Sequence, residues 1–370
     1  MAAYEAAQIS TPPSGRAVVL GGGLAGVLAA RALTDTFEEI VIIERHNRLI
    51  VEQVLPQVLS ETVRPQLDRL FPGFSAELVA DGAAIAAPSG HRSISTAAPG
   101  AERVDARLQF THEFIHRHLS RHLNSFDGVA MLGGCDAVGL VGDGERCAGV
   151  HVLPRSRSAA SRTIPADLVV DAMGAGSRLC LWIEDTWRIR LPSERQLITY
   201  FASRLYQTRA RSLPAATTID LRPAYSYRIA LMTVENGQYV ASLGAPNIPA
   251  HDGDQFDQLL SSLLPQHLAA LIADSQAAGP VIIFASAGMR RRFHNADRLP
   301  GNLIALGDSL CCFDPLQGHS FEVAVRQASV LWQLLGEQHS YADNGQPTEL
   351  ARRYFRAVAK IVDDAWMVGA

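Results

Sequence analysis

Lysine is almost absent from this chain: Lys360 is the only one in 370 residues, and the other 32 of its 33 basic residues are arginine. Any mechanism that requires a lysine in the body of the protein is thereby excluded. Cysteine is scarce as well. The five present (Cys135, Cys147, Cys180, Cys311 and Cys312) are odd in number and lack C-x-x-C spacing, which argues for reduced thiols rather than a disulfide frame or a zinc site. Adjacent Cys311 and Cys312 could join only in a strained eight-membered ring, so they read as small packing residues. No apolar run reaches the length of a membrane span, and residues 1–15, small and polar with Pro12-Pro13, read as a disordered lead-in rather than a signal peptide. A cytoplasmic protein without an integral membrane segment is expected. Excess positive charge is lacking too: a net charge of −4 and a pI near 6.3 give no reason to expect nucleic acid or an anionic membrane as partner.

What is present is a soluble composition, 48% apolar and 19% charged, in a chain long enough for two lobes or one elaborated α/β domain. The organising stretch is residues 17–45. A short apolar run, Ala17 to Leu20, feeds into Gly21, Gly23 and Gly26 at G-x-G-x-x-G spacing. The helix expected from Leu24 to about Leu33 follows, then a second apolar strand, Ile40 to Ile43, ending on Glu44. In such a unit the first glycine permits the tight turn, the second lets backbone approach a pyrophosphate, and the third lets helix pack on strand. The helix N-terminus then faces the phosphates through Leu24 and Ala25, with Arg45 beside Glu44. An acid at Glu44 suits the 2′- and 3′-hydroxyls of an adenosine ribose and disfavours a 2′-phosphate, so FAD or NAD(H) is expected rather than NADP(H).

Further along, residues 48–70 with Pro56 and Pro65 read as loop plus broken helix, Ser75 to Asp81 as a short helix, and 82–106 as short strands and loops. A helix from Thr111 to Leu123 carries His112, His116, His118 and His122. These include i, i+4 pairs able to hold a metal, but no carboxylate or cysteine is spaced to complete a site, so no metal is expected and a solvated face is the reading preferred. Residues 129–152 alternate as two or three strands around Gly142-Asp143-Gly144. Asp167 to Arg178 reads as a buried strand ending in a second glycine-rich turn. Residues 183–292 read as an antiparallel sheet with a helical stretch, Phe256 to Leu271, broken at Pro265; Arg290-Arg291-Arg292 read as a solvated sheet edge. A buried strand, Asn302 to Leu306, then precedes Gly307-Asp308, and helices are expected at Phe321 to Leu335 and over 348–366.

The order and separation of Gly21-x-Gly23-x-x-Gly26, Asp167 to Ser177, and Gly307-Asp308 resemble the flavoprotein monooxygenases of the para-hydroxybenzoate hydroxylase type. The segments Leu70-Phe71-Pro72-Gly73-Phe74, Gly176-Ser177-Arg178 and Leu306-Gly307-Asp308-Ser309, with Phe313-x-Pro315-x-x-Gly318, look most like the FAD epoxidases of polyether biosynthesis. The resemblance implies an α/β fold: a Rossmann-like FAD-binding domain, residues 15–182 and 293–340, with an inserted, mainly antiparallel substrate domain, 183–292. Residues 75–110 would contribute to the substrate side, and 341–370 would form C-terminal helices.

It also implies roles. Asp308 would bond the ribitol O3′, Asp171 would anchor the middle motif, and the helix entered through Gly318, His319 and Ser320 would aim its N-terminus at the flavin pyrimidine, favouring the anionic reduced flavin. Reduced flavin and oxygen would give the C4a-hydroperoxide that epoxidises or hydroxylates an apolar metabolite. Electrons would come from transiently bound NAD(P)H or a separate flavin reductase. The chain departs from the resemblance in two places. Gly318-His319-Ser320 stands where relatives have Gly-Gln-Gly, and His112 stands where an arginine usually contacts the flavin or its phosphates. His319 is the candidate proton donor, with helix capping as its other reading. Flavin halogenases share the fold but need a lysine and a Trp-x-Trp-x-Ile-Pro motif; here four residues, not one, stand between Trp182 and Trp187. The alternative class is a flavoprotein that inserts no oxygen, a reductase or cyclase acting on an isoprenoid-type substrate.

Overall fold

A parallel sheet stands behind everything else, with strand order Leu303–Ala305, Leu168–Asp171, Arg16–Leu20, Glu39–Ile43 and Val129–Leu132. The computed structural model describes residues 14–46, 54–86, 91–95, 106–156, 160–208, 216–221, 226–248, 252–296, 298–340 and 349–369. The lead-in therefore lies outside the described residues, except for Ser14 and Gly15. The central strands are apolar on both faces because both are covered: helix Leu24–Leu33 packs on the sheet, strands Cys135–Asp143 and Arg146–Pro154 of a separate antiparallel sheet meet it as well, and Ala17, Val18, Val19 and Leu20 are all fully buried. Helix Leu24–Leu33 packs against the long helix Ser320–Ser340, which in turn meets the C-terminal helix Leu350–Gly369.

A second sheet is largely antiparallel. Its strand path runs Cys311–Cys312, Ile282–Arg291, Ser193–Gln207, Gln238–Ala245, Arg228–Thr233, Ala216–Asp220 and His91–Ser95. The first and last of these come from outside residues 183–292, and His91–Ser95 pairs in parallel with Ala216–Asp220. One face is closed by helices Gly253–Leu263 and Gln266–Ala273, which break at Leu264-Pro265 and bury Phe256, Leu260, Leu268 and Ile272 against Tyr206 and Tyr239.

Three local expectations need correction. Pro56–Ser60 is a buried strand, paired antiparallel with Arg107–Thr111, rather than part of a broken helix. Pro56 opens that strand, a place where a missing N–H is tolerated, and Pro65 sits in the first turn of helix Arg64–Leu70. A helix, Leu179–Trp187, runs through residues 182 and 183, where one lobe was expected to give way to the other. The helix expected from Phe321 begins at Ser320, one residue earlier, so Ser320 lies within its first turn instead of capping it from outside.

Candidate active site

The parallel strands Arg16–Leu20, Leu168–Asp171 and Leu303–Ala305 all end on the same edge of the sheet, and each runs into a glycine-bearing turn. In the first turn, Gly21 takes φ +99°, and a Cβ there would meet the Ala172 carbonyl oxygen at 2.5 Å. A Cβ on Gly26 would stand 1.9 Å from the Gly21 oxygen, so only glycine lets helix Leu24–Leu33 lie this close to the turn. Gly23 is the N-cap, offers the helix no side-chain acceptor, and has open space where its side chain would be. The unpaired N–H groups of the first helical turn are thus left for a ligand.

The peptide units around Gly22 are held from both sides. Glu44 Oε2 accepts the Gly22 N–H at 2.8 Å, and His116 Nε2 lies 2.8 Å from the Gly22 carbonyl oxygen. Because a carbonyl only accepts, Nε2 carries the proton and Nδ1 accepts from Ser120 Oγ at 3.1 Å. Burial lowers the His116 pKa, with the Gly22 bond and Glu44 acting the other way, which fits one ring proton rather than two.

Asp171 is fully buried and acts through its neighbours. It accepts from Met173 N at 3.0 Å, from Ser309 Oγ at 3.1 Å and from Ser177 Oγ, joining the second turn to the third. Burial pushes its carboxyl up, and these bonds with nearby Arg291 push back. Arg291, itself buried, donates to the carbonyls of Ser177 at 3.2 Å and of Ser309. Asp308 lines the cleft, and burial raises its pKa to about 6 against the pull of Cys312 and Arg291.

These turns line one cleft that opens to solvent. Of the residues singled out in the sequence, Gly21, Gly23, Leu24, Ala25, Glu44, Arg45, His112, Asp308, Gly318 and Ser320 line it. Gly26, Asp171 and His319 do not: Gly26 packs under the turn, Asp171 lies beneath, and His319 Nδ1 sits 3.4 Å from Glu322 Oε2. Glu322 also accepts the Ser60 N–H at 2.5 Å; burial works to raise its pKa, but the bonds from His319 and Ser60 prevail and hold it low.

His112 presents a buried Nδ1 with no hydrogen-bond partner among the described residues, and burial together with His116 lowers its pKa to about 4. It is therefore a neutral group where the resemblance led one to expect an arginine. A cleft lined by the start of helix Leu24–Leu33, the carboxylate of Glu44 and an imidazole unmatched among the described residues has the polar partners a dinucleotide needs.

Sequence reasoning missed several contributors. His116 and His118 are buried rather than solvated, and Arg290 and Arg291 are buried rather than at a solvated edge: Arg290 pairs with Glu194 at 2.5 Å and Asp363 at 2.6 Å. Carboxylates do reach the histidine helix: Glu77 and Asp81 arrive from the preceding helix, Phe74–Ala80, and its cap. Arg178, exposed on the second turn, lines the cleft with no ion-pair partner among the described residues, and Trp182 and Gln57 line it as well. Helical periodicity marks the buried side of Thr111 to Leu123 but not which loop it touches. The lone lysine, Lys360, pairs with Asp364 on the C-terminal helix and takes no part in the cleft.

No protein-family model matches the chain. Among curated proteins it is 26% identical to Protein Rv3254 of Mycobacterium tuberculosis over 401 residues, covering 97% of this chain and 80% of that protein. Its fold is that of flavin-dependent monooxygenases. It superposes on 2-methyl-3-hydroxypyridine-5-carboxylic acid oxygenase with a TM-score of 0.70 at 14% identity, covering 96% of this chain and 90% of the other. A variant of PqsL from P. aeruginosa gives 0.70 at 13% identity, covering 96% and 94%. The flavin-dependent brominase Bmp2 gives 0.68 at 14% identity, covering 94% and 83%.

Proposed function

We propose that the chain is an FAD-dependent monooxygenase that epoxidises or hydroxylates an apolar small metabolite of specialised biosynthesis. The observation that carries this reading is the convergence of three glycine-bearing turns, Glu44 and the buried carboxyl of Asp308 on one cleft. We read the parallel sheet as a Rossmann-like FAD-binding domain and the antiparallel sheet as the substrate side. Glu44 would hold the adenosine ribose and the N-terminus of helix Leu24–Leu33 the pyrophosphate. Asp308 would hold the ribitol, and the start of helix Ser320–Ser340 the pyrimidine. Arg178, which lines the cleft and has no ion-pair partner among the described residues, is a cation available to the phosphates. When bound and reduced, the flavin supplies the electrons and the site of oxygen activation.

The chain's residues do the rest. Leu55, Phe284, Phe313 and Pro315 give the cleft an apolar wall that excludes water and suits an apolar substrate. Gln57 and Ser286 lie in the same wall as polar groups to orient it. The electron source is NAD(P)H bound transiently or a separate flavin reductase, since the sequence holds one dinucleotide fingerprint. Halogenation, the chemistry named for Bmp2, does not suit a chain whose single lysine is exposed on the C-terminal helix. A flavoprotein reductase or non-oxygenating cyclase on an isoprenoid-type substrate is the second reading. It is favoured by Ser320, a side chain lining the cleft where the resemblance has glycine. Oxygen uptake by the FAD-loaded protein with a reductant and apolar substrates separates the two: the monooxygenase consumes oxygen in proportion to product, and the reductase or cyclase does not.

A further inference from the structure

Two short stretches distant in sequence meet away from the cleft. Helix Phe74–Ala80 and its C-cap Asp81 lie beside the second half of helix His112–Leu123. His118 is buried and its Nδ1 lies 2.8 Å from the Phe114 carbonyl oxygen, which can only accept, so Nδ1 carries the ring proton. Nε2 is then left facing Asp81 Oδ2 across 2.8 Å. Such a contact holds only if a second proton or a cation lies between the two lone pairs. A Glu77 carboxylate oxygen completes a group in which the three ligand atoms, from Glu77, Asp81 and His118, all lie within 4.8 Å of one another. His122 Nε2 stands 2.5 Å from Glu77 Oε2, where its N–H orients that carboxylate.

We propose that Glu77, Asp81 and His118 form a binding site for a divalent first-row transition metal of the zinc type. One imidazole with two carboxylates is a donor set for such ions, and the nitrogen argues against magnesium or calcium, which take oxygen ligands. The surroundings are those of a metal ligand. The His118 ring is oriented by a backbone carbonyl, and the other acid is held by a histidine. Phe114 and Phe74 pack on the His118 ring, with centroids at 4.3 and 6.5 Å. Asp81 is 43% exposed at the side chain and gives the ion its way in. The guanidinium of Arg121 lies 3.5 Å from Glu77 and 4.0 Å from Asp81, and as an exposed group it must swing aside when the ion binds. The ion would tie the two helices together near the far end of the helix whose first residue, His112, lines the cleft.

The test is titration of untagged, chelator-treated protein with Co²⁺ followed by its visible absorption, and with Zn²⁺ followed by calorimetry and thermal unfolding. One equivalent should bind, raise the melting temperature, and resist competition by excess Mg²⁺. Asp81→Asn, an exposed and shape-conserving change, should weaken binding at least about tenfold, and His118→Ala should abolish it. Arg121→Ala, which removes a competing charge, should tighten it severalfold. Absence of one-equivalent binding in the wild type would overturn the proposal and leave a shared proton between His118 and Asp81. Binding unchanged in Asp81→Asn would overturn it equally, because the ion would lie elsewhere.

Discussion

His116 Nε2 donates to the carbonyl oxygen of Gly22 across 2.8 Å, joining a helix to a glycine turn 94 residues away in the chain. The bond fixes the peptide plane of the turn on which the dinucleotide is proposed to lie. His116→Phe keeps the ring volume but leaves that buried carbonyl unpaired, at a cost of about 1–3 kcal/mol. FAD affinity should fall at least several-fold while the fold survives. Unchanged affinity in a flavin fluorescence titration would mean that the turn is held by its backbone alone.

Glu44 accepts from Gly22 N at 2.8 Å and from His46 N at 3.0 Å, and it lines the cleft with lone pairs to spare. Glu44→Ala should lose FAD by roughly 1.5–3 kcal/mol, the worth of charge-assisted bonds to ribose hydroxyls. The same titration checks it, and wild-type affinity in the variant would assign the ribose to another residue.

Asp308 and His112 titrate in opposite senses. Burial raises the Asp308 pKa from 3.8 to about 6, so across that window the folded chain keeps a proton that the unfolded chain has lost, and its contribution to stability falls as pH rises. Burial lowers the His112 pKa from 6.5 to about 4, so there the unfolded chain holds the extra proton and stability rises with pH. The two nearly offset in stability, which makes FAD affinity the better readout. A ribitol hydroxyl donating to the charged carboxylate should bind more weakly from about pH 7 to about pH 5, by at most about tenfold per unit below the raised pKa. Asp308→Asn should remove that part of the pH dependence. A profile identical in the variant would clear Asp308 of the role.

Much of this arrangement was legible in the sequence, and the rest was not for definite reasons. The unit from Ala17 to Glu44 declares itself because strand, glycines, helix, strand and acid follow one another locally. Strand Pro56–Ser60 was hidden because proline read as a breaker, although it stands at the strand's first position. His116, His118 and Arg291 look solvated in the sequence because their partners lie on other elements, beyond the reach of periodicity. Glu77 and Asp81 are 41 and 37 residues before His118, so no spacing rule within one helix could find them.

Ser320 lines the cleft from the first turn of its helix, and with the helix beginning at Ser320 its hydroxyl is not the outside cap. Crowding is the remaining expectation. Ser320→Gly should tighten FAD binding by on the order of 1 kcal/mol. Equal or weaker binding in a titration of apoprotein would show that the loop has already made room for the side chain.

The central claim is that this cleft holds FAD and uses it to activate oxygen for an apolar substrate. It is tested most directly by loading the protein with FAD, supplying NAD(P)H or a flavin reductase, and following oxygen uptake together with the mass of products from a panel of apolar metabolites. The account predicts one FAD retained per chain, and substrate-dependent oxygen uptake with a product heavier by one oxygen atom. Full FAD occupancy with substrate turnover but neither oxygen uptake nor oxygen gain would contradict it and favour the reductase or cyclase.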